Sequence, residues 1–558
     1  MTDTVADLIR ARVGDDSPAI AFENSTWTYR QYVQASVQRA ALIAQLRTEH
    51  PRERGTGFHI GVLADNIPEF PMWLGAAALA GATVVGINPT RRGAELERDI
   101  AHTSCDLIVT EKAHLPLLAG LDLPVAAGMV LDVDSPSYLE LLAPHAAASL
   151  DEVDVHPGKD DLFLLIFTSG TSAAPKAVIC SQGRLAMIGP IVAQMFGLTA
   201  DDVCYEAMPM FHSNALMACW CPAIAAGATF AMRRKFSASG FLADVRAYGA
   251  TYFNYVGKTL SYVLATPELP DDADNTLVRG FGNEGSRVDL EDFSRRFACT
   301  ITDAYGSTEG GAVVSATDDT PPGALGPAGA GNIVLDPATG DECPRARFDE
   351  AGRLVNADEA IGEMVSKFGG AMFEGYWDND EANRERLRDG MYWTGDLAYV
   401  DEAGFIYFAG RSYDWLRVDG ENFAAAPVER ILSRYESVTL AAVYAVPDAL
   451  VGDQVMAALE LKPGTGFDPE DFSAFLAKQT DLGTKWSPRY VRISQRLPVT
   501  ESNKVLKRSL RSEFWECTDP VWWRPKKDGP YRLLSDGDTA AIRAEFVGRG
   551  REAVLDAS

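Results

Sequence analysis

The chain has 558 residues and a net charge of -27, and 47% of its residues are hydrophobic while 23% are charged. This composition predicts a core-forming chain of about three or four structural units rather than a disordered one. The acidic balance argues against a nucleic-acid partner, because such a protein needs basic residues to offset phosphate charge.

The eight cysteines and seven histidines show neither CxxC nor HExxH spacing. We therefore expect reduced thiols in a cytoplasmic protein and no zinc site. The N-terminal stretch MTDTVADLIRARVGDD carries acidic residues and no apolar core, so it does not predict a secretory signal.

The first half of the chain alternates short apolar runs with segments of helical period, which predicts an α/β fold. Strands are expected at His59–Leu63 and 106–109, with a helix at Gly93–His102 between them. Residues 74–87 and 223–232 share one texture, a small-residue helix, a Gly-Ala-Thr turn and then a strand. This echo predicts two similar βαβ-type subdomains.

A run of small and hydroxyl residues follows the apolar segment 162–167 (LFLLIF) and reads TSGTSAAPK over 168–176. A loop of this kind after a buried strand can surround phosphate oxygens with N–H and O–H donors, with Lys176 adding charge. The alternative is a polar surface turn. Pro175 precedes the lysine where the GxxxxGK[ST] loop has glycine, which excludes a P-loop kinase.

Residues 215–232 contain no charge over 18 positions and run into Arg233, Arg234 and Lys235. A spanning helix needs about 20 strongly apolar residues, and this stretch is rich in Ala and Gly and contains Pro222. It therefore predicts a buried helix followed by a strand, and it leaves a peripheral membrane contact open.

The segment DAYGSTE at 303–309 follows another short apolar strand. Tyr305 could stack on a purine, Thr308 could bind a phosphate and Glu309 could hold Mg²⁺. The alternative is a turn with a solvated carboxylate. Further along, Asp396 and Arg411 offer an acceptor carboxylate and a donor fork suited to sugar hydroxyls.

From residue 362 the texture changes to aromatic and β-branched residues between Gly and Asp turns. Residues 390–401 and 404–411 predict short antiparallel strands, and a second α/β segment begins near 413 with strands at 440–445 and 456–461 and a helix at 471–477. We place the domain boundary near 411. The tail after Trp515 contains Trp522, Trp523 and Tyr531, so we expect it to be docked.

Taken in this order over residues 20–515, these segments resemble the adenylate-forming superfamily of acyl-CoA synthetases, non-ribosomal peptide adenylation domains and luciferases. The resemblance implies a large domain at 1–410, made of two βαβ-type subdomains and a small β-barrel-like region. It also implies a small mobile α+β domain at 411–515 that carries Lys504, and an extension at 516–558 that docks on the body.

The resemblance assigns roles to residues along the whole chain. The ATP-binding group is Thr168, Ser169, Gly170, Thr171, Ser172, Lys176, Asn283, Glu284, Asp303, Ala304, Tyr305, Gly306, Ser307, Thr308, Asp396, Arg411 and Lys504. The catalytic group is Lys504, Thr171, Thr308 and Glu309, with Glu309 as the metal ligand. The acyl pocket is His212, Tyr255, Gly257 and Lys258. Gly420 lines the CoA tunnel and Tyr413 is the hinge.

Two departures from the family pattern stand out. Ala173 and Ala177 replace glycines around the phosphate loop, and Tyr413 stands where relatives carry Asp or Lys. A stiffer loop is expected, and the energetics of the hinge are left open.

Residues 281–286 (FGNEGS), 417–422 (RVDGEN) and the Trp-rich tail most resemble acyl-CoA synthetases of the fatty-acid-transport-protein type, whose actinobacterial members act on long fatty acids or steroid side-chain acids. The implied function is an ATP-dependent acid:CoA ligase that uses Mg²⁺ and coenzyme A and acts on a bulky apolar small-molecule carboxylic acid. We expect Gly257, Gly282 and Gly285 to leave room for that acid.

Three alternatives stay open: an acyl-AMP ligase that loads a carrier protein, a luciferase-like oxygenase, and a non-catalytic homologue that binds acyl-adenylates. A homodimer is also compatible with this resemblance.

Overall fold

The computed structural model describes most of the chain, namely residues 3–50, 57–126, 128–153, 155–168, 176–257, 259–285, 287–349, 354–411, 415–418, 421–449, 453–479, 482–483, 485–499, 505–526, 529–549, 552 and 555. The elements of residues 3–168 are α1 (Val5–Arg10), β1 (Pro18–Phe22), β2 (Ser25–Thr28), α2 (Tyr29–Glu49), β3 (His59–Leu63), α3 (Glu69–Ala80), β4 (Thr83–Gly86), α4 (Gly93–His102), β5 (Leu107–Thr110), α5 (Leu115–Leu118), β6 (Val130–Asp132), α6 (Pro136–Leu142) and β7 (Leu162–Thr168).

The elements of residues 176–315 are β8 (Lys176–Ser181), α7 (Gln182–Met195), β9 (Val203–Glu206), α8 (Ser213–Ala215), α9 (Cys221–Ala226), β10 (Thr229–Met232), α10 (Phe241–Tyr248), β11 (Tyr252–Val256), α11 (Thr259–Leu264), β12 (Arg279–Asn283), α12 (Arg287–Phe297), β13 (Thr300–Gly306) and β14 (Val313–Ser315). A π-helical turn at Leu216–Trp220 joins α8 to α9.

Two sheets organise this large domain. The first has six strands in the order β6-β5-β3-β4-β7-β8, parallel except for the β7–β8 hairpin. The second has eight strands in the order β14-β13-β12-β11-β9-β10-β1-β2, parallel from β13 to β1. The α/β prediction is confirmed, and one apolar core joins both sheets, with Trp73 and Trp220 among its largest fully buried side chains.

The predicted similarity between residues 74–87 and 223–232 is present in the structure. Helix α3 ends at Gly81 and leads into β4 of the first sheet, and α9 ends at Gly227 and leads into β10 of the second. Both glycines have left-handed φ, 58° and 77°, which a residue without a Cβ adopts readily at the end of a helix.

Residues 215–232 fold as the predicted buried helix and strand. Ala215, Trp220 and Phe230 are each 1% exposed or less. In the described part of the chain no helix is long and apolar enough to cross a membrane.

A third sheet, antiparallel and six-stranded, follows. Its elements are β15 (Gly326–Pro327), β16 (Asn332–Leu335), α13 (Ala357–Ala360), β17 (Gly362–Ser366), α14 (Asp380–Arg386), β18 (Leu387–Arg388), β19 (Met391–Val400) and β20 (Phe405–Arg411). The order is β15-β20-β19-β17-β16, with β18 paired to β19. The two antiparallel strands predicted at 390–401 and 404–411 are confirmed as β19 and β20.

The small C-terminal unit contains β21 (Trp415–Val418), β22 (Glu421–Ala424), α15 (Ala425–Leu432), β23 (Val438–Pro447), β24 (Asp453–Leu461), α16 (Pro469–Lys478), β25 (Tyr490–Ser494), α17 (Lys507–Glu513), β26 (Val521–Trp523), β27 (Arg532–Leu533) and α18 (Asp536–Gly548). Strands β21 and β22 form a hairpin, and β23 to β27 form a five-stranded sheet in sequence order.

The tail after Trp515 belongs to this sheet. Strand β26 pairs antiparallel with β25, and β27 pairs with β26. Tyr490 of β25 stacks on Trp515, with ring centroids 5.1 Å apart, and on Trp523 at 6.0 Å. The tail therefore packs on the small unit. How the chain divides into domains stays a prediction.

Candidate active site

The predicted nucleotide residues gather at one edge of the eight-stranded sheet. Strands β11, β12 and β13 are neighbours and parallel, and their carboxyl ends carry Tyr255, Asn283 and Tyr305. In open α/β sheets such an edge is the usual place for a ligand.

Asp303 is held by two donors at this edge. Its Oδ2 accepts hydrogen bonds from the Tyr255 hydroxyl at 2.8 Å and from the Gly285 N–H at 2.8 Å. Burial raises the pKa of Asp303 to about 7, although both donors favour the carboxylate. This carboxyl therefore changes charge near neutral pH.

Asn283 is the last residue of β12, and Glu284 begins the turn that follows. The Asn283 amide donates to the Ala304 carbonyl oxygen at 2.5 Å, which ties the turn to β13. Glu284 is exposed and has φ 65°, a left-handed conformation that is uncommon for a residue with a Cβ. Such strained positions cluster at functional sites.

The ribose candidates lie on β19 and β20, where Asp396 pairs with Arg411 across the strands. The Tyr305 hydroxyl donates to Asp396 Oδ2 at 2.5 Å. The aromatic residue and the acceptor carboxylate that the sequence proposed separately thus contact each other directly.

Thr308 and Glu309 lie beyond the end of β13 and are both engaged by the protein. The Thr308 hydroxyl is 2.7 Å from the Ser213 hydroxyl, and the Thr308 carbonyl oxygen accepts from Arg184 at 2.5 Å. Glu309 is 8% exposed and accepts from the Tyr376 hydroxyl at 2.8 Å. A buried carboxylate beside a hydroxyl supplies the hard oxygen ligands that Mg²⁺ prefers, so these residues fit that ion.

Lys176 lies at the base of the β7–β8 hairpin, in register with Thr168. Its ammonium group is 3.4 Å from Glu385 and lies 5.3 Å from the centre of the Tyr376 ring. Since Tyr376 also binds Glu309, the lysine and the candidate metal ligand share one neighbour.

Arg386 was missed by the sequence analysis, as were Arg184, Ser213 and Tyr376. Burial would lower the pKa of Arg386, but the neighbouring Tyr376, Tyr392 and Glu309 raise it. It adds a second cation near Glu309. The only sequence signal is the run of mixed charge over 380–386, which is also typical of a solvated helix.

Three residues predicted to line the acyl pocket are described by the structure: His212, Gly257 and Tyr255. The His212 ring contacts the Phe211 ring in a tilted arrangement with centroids 4.3 Å apart, and Gly257 donates its N–H to the Asn283 carbonyl oxygen at 2.8 Å. Tyr255 is fully buried and binds Asp303. It therefore holds Asp303 at the carboxyl edge of the sheet.

The expectation that Gly282 and Gly285 leave room for a bulky acid is wrong. A Cβ at Gly282 would lie 2.3 Å from the Tyr255 carbonyl oxygen, and one at Gly285 would lie 2.9 Å from Asp303 Oδ2. Protein atoms already fill the space beside both glycines, so they permit close packing of β12 on β11 and β13.

Several predicted residues lie outside the described part of the chain, namely Ser169, Gly170, Thr171, Ser172, Lys258, Tyr413, Gly420 and Lys504. The side chain of Arg411 is also outside it. Their assigned roles stay predictions.

One other group has metal-ligand chemistry in the described residues: Asp65, Glu111 and His114. Arg234 pairs with Glu111, and Lys235 lies 3.3 Å from Asp65. Protein cations already neutralise this group. Its ion pairs therefore serve to join the segment after β10 to the loops after β3 and β5.

The sequence model of the family described as AMP-binding enzyme matches residues 9–377, and that of the AMP-binding enzyme C-terminal domain matches 427–504. The chain is 53% identical over 556 residues to the steroid-22-oyl-CoA synthetase of Rhodococcus jostii strain RHA1, covering 99% of both chains. It is 48% identical over 519 residues to the medium/long-chain-fatty-acid–CoA ligase FadD17 of Mycobacterium tuberculosis, covering 93% of this chain and 98% of that one.

Two solved structures share the fold at lower identity. ATP-bound MatB from Rhodopseudomonas palustris gives a TM-score of 0.76 at 24% identity, covering 91% of this chain and 99% of that chain. The anthranilate CoA ligase AuaEII in complex with anthranoyl-AMP gives 0.77 at 21%, covering 91% and 96%.

Proposed function

The chain belongs to the AMP-binding enzyme family and is an AMP-forming acyl-CoA synthetase, and we propose that its substrate is a bulky apolar acid, foremost a steroid side-chain acid. The observation that carries the proposal is the 53% identity to a steroid-22-oyl-CoA synthetase over 99% of both chains. The fatty-acid ligase at 48% supports a long-chain fatty acid as the second candidate.

The first half-reaction converts an unreactive carboxylate into an anhydride. One carboxylate oxygen attacks the α-phosphorus of ATP, and pyrophosphate leaves. Negative charge that grows on the phosphate requires fixed cations and donors. We assign Lys176 and Arg386 to the phosphates, with Thr168 and the following loop as further donors.

Glu309 and Thr308 would hold Mg²⁺, which would neutralise phosphate charge when bound. Tyr376 holds the Glu309 carboxylate in place through its 2.8 Å hydrogen bond. Tyr305 and Asp396, joined at 2.5 Å, would face the nucleoside, with Asn283 and Glu284 as its wall.

The second half-reaction needs no protein nucleophile, because the CoA thiol attacks the adenylate directly and AMP leaves. We assign Lys504 to the first step and Gly420 to the second, with a rotation of the small domain near Tyr413 between them. A residue without a Cβ lets the pantetheine arm lie against the backbone.

Pyrophosphate release with a panel of acids tests the substrate, with thioester detection by chromatography. A steroid side-chain acid should react fastest, a long-chain fatty acid next and acetate slowest. Faster turnover of acetate than of every bulky acid would reject the substrate class.

The same assay separates the alternatives. Pyrophosphate release without acyl-CoA, together with acyl transfer to a carrier protein, would identify a carrier-loading ligase. Adenylate binding without turnover of any acid would identify a non-catalytic homologue.

Lys504→Ala should lower adenylate formation by about 10²–10³, because its charge is needed while negative charge grows on the phosphate. Thioester formation from supplied acyl-adenylate should stay nearly unchanged. Lys507→Ala is the matched control, since Lys507 pairs with Glu429 at 2.8 Å. Equal losses in both half-reactions would reject the role.

Gly420→Leu should have the opposite pattern. Adenylation, measured as exchange of labelled pyrophosphate into ATP, should survive, while thioester formation is blocked by the added side chain. A normal rate of thioester formation would reject the tunnel assignment.

A further inference from the structure

Glu206 is a fully buried carboxyl group at the end of β9, and its relative exposure is 0%. Its Oε1 accepts a hydrogen bond from the Met208 N–H at 2.5 Å. The groups that act on it are the backbone N–H groups of Met208 and Ala207 and the side chains of Asn254 and Cys219, none of which is a cation. An ionised carboxylate without a cation is costly to bury.

A chain of two amides leads from this carboxyl to the backbone of β11. The Asn254 Nδ2 donates to Asn214 Oδ1 at 2.6 Å, and the Asn214 Nδ2 donates to the Tyr255 carbonyl oxygen at 3.3 Å. A carbonyl oxygen can only accept. It therefore fixes the direction of both amides, because a reversed pair would place acceptor against acceptor.

This direction leaves two buried acceptors at the other end of the chain. Glu206 Oε2 and Asn254 Oδ1 have no hydrogen-bond partner among the residues that the structure describes. Both groups accept and neither donates as long as the carboxyl is ionised. A single proton on Glu206 Oε2 supplies the missing donor.

We propose that Glu206 is held in its neutral form and donates a hydrogen bond to Asn254 Oδ1, so that it acts as a positioning residue for the segment His212–Asn214. The proton comes from solvent, and no covalent step is involved. The chain of donors then runs in one direction from Glu206 through Asn254 and Asn214 to the Tyr255 carbonyl.

The surrounding titratable groups agree with a neutral carboxyl. Burial raises the pKa of Glu206 to about 8, and this effect outweighs the Met208 and Ala207 N–H groups and the side chains of Asn254 and Cys219, which all favour the carboxylate. Burial also raises the pKa of Cys204, Cys219 and Tyr252, so these neighbours are neutral as well. Asp202 and Arg279 act on the neighbouring Cys204, and they pair with each other at 2.8 Å.

The segment that this network holds lies against the candidate catalytic residues. Ser213, next to Asn214, has its hydroxyl 2.7 Å from that of Thr308, and His212 precedes it. Loss of the Glu206 proton would place two acceptors face to face and disturb this turn. The functional part of the inference rests on the proposed roles of His212 and Thr308.

Glu206→Gln and Glu206→Leu test the proposal as a pair. Gln keeps a donor for Asn254 and an acceptor for Met208 and cannot ionise, so kcat/KM for pyrophosphate exchange at pH 7 should stay within about twofold of wild type. Leu leaves Asn254 Oδ1 and the Met208 N–H unpaired, which predicts a loss of about tenfold. A loss for Gln as large as that for Leu would overturn the proposal.

The pH dependence gives a readout that a merely structural role would not move. Above pH 8 the wild type should lose kcat/KM relative to Glu206→Gln, because only the wild type ionises there. Asp99→Asn makes the same carboxyl-to-amide change at another buried site, whose pKa burial raises to about 6. The dependence of kcat/KM on pH in Asp99→Asn should follow that of the wild type above pH 8. If the wild type and Glu206→Gln instead show parallel pH dependence, the inference is contradicted.

Two measurements need no substrate, so their failure is distinct from failure of the proposed function. The unfolded carboxyl has an ordinary value of 4.5 and the folded one about 8, so the Tm of the wild type should fall relative to Glu206→Gln between those pH values and stay parallel above them. The infrared difference spectrum between the two proteins at pH 7 should show the C=O stretch of a protonated carboxyl. A carboxylate band instead would overturn the proposal, even if Glu206→Leu did not fold.

Discussion

The two sheets of the large domain both place carboxyl groups near the carboxyl ends of parallel strands, but the neighbours that stabilise these groups differ. On the six-stranded sheet, Asp65 and Glu111 pair with Lys235 and Arg234. On the eight-stranded sheet, Glu206 and Asp303 have hydrogen-bond donors from neutral groups, and burial raises the pKa of both.

This difference distinguishes a structural ion-pair cluster on the six-stranded sheet from the candidate active site on the eight-stranded sheet. Arg234 and Lys235 follow β10 of the second sheet. Their ion pairs with Glu111 and Asp65 therefore join the two subdomains. A carboxyl that is neutralised by a proton needs no cation beside it. Arg386 acts on Glu309 and Lys176 shares the neighbour Tyr376 with it, and phosphate charge is expected there.

The largest expected effect is at Glu309. Glu309→Gln should lower the rate of adenylate formation by about 10²–10³, because it removes the charge that would hold Mg²⁺, and raising Mg²⁺ should restore part of it. Rates are compared by pyrophosphate exchange. Glu111→Gln on the six-stranded sheet is the control, and an equal loss there would erase the distinction between the two sheets.

Asp303→Asn should have an intermediate effect, on stability. The folded pKa of about 7 lies above the ordinary 3.8, so the stabilisation from the protonated group is fully present below 3.8 and is lost as the pH rises to 7. The variant lacks this loss and should be about 2 kcal/mol more stable than wild type at pH 8, about half the full linkage value because the side chain is only half-buried. Urea unfolding at pH 5 and pH 8 measures the difference, and a constant offset would contradict it.

Arg234→Met should have the smallest effect. Its side chain is 43% exposed while that of Glu111 is 5% exposed, and Glu111 keeps the Asp65 N–H as a donor at 2.8 Å, so removal of the ion pair should cost about 1 kcal/mol in the free energy of unfolding. The difference from wild type should shrink in high salt. A tenfold loss of adenylation would show that the ion-pair cluster also serves the site.

Elements that a local pattern encodes were predictable from the sequence. Helix α4 and strand β3 have the predicted bounds because an apolar run or a helical period is a property of neighbouring residues. Thr308 and Glu309 could be proposed from the sequence for the same reason, since they lie within one short segment. Tyr376 and Glu206 were not, because their roles depend on partners far along the chain.

The glycines of β12 show the limit most clearly. Gly282 suggested open space, and the structure fills that space with Tyr255. What a missing side chain makes room for depends on the neighbouring strand, and no pattern within residues 281–286 contains that information.

The pairing of β26 with β25 has a consequence for the design of chimeric ligases. The C-terminal family model ends at residue 504, so a small domain exchanged on those bounds would lose α17, β26, β27 and α18. The graft would carry Tyr490 without Trp523 above it, and an uncovered β25 would be a template for pairing between molecules. A transplanted module from this protein must therefore extend at least to the end of α18 at Gly548.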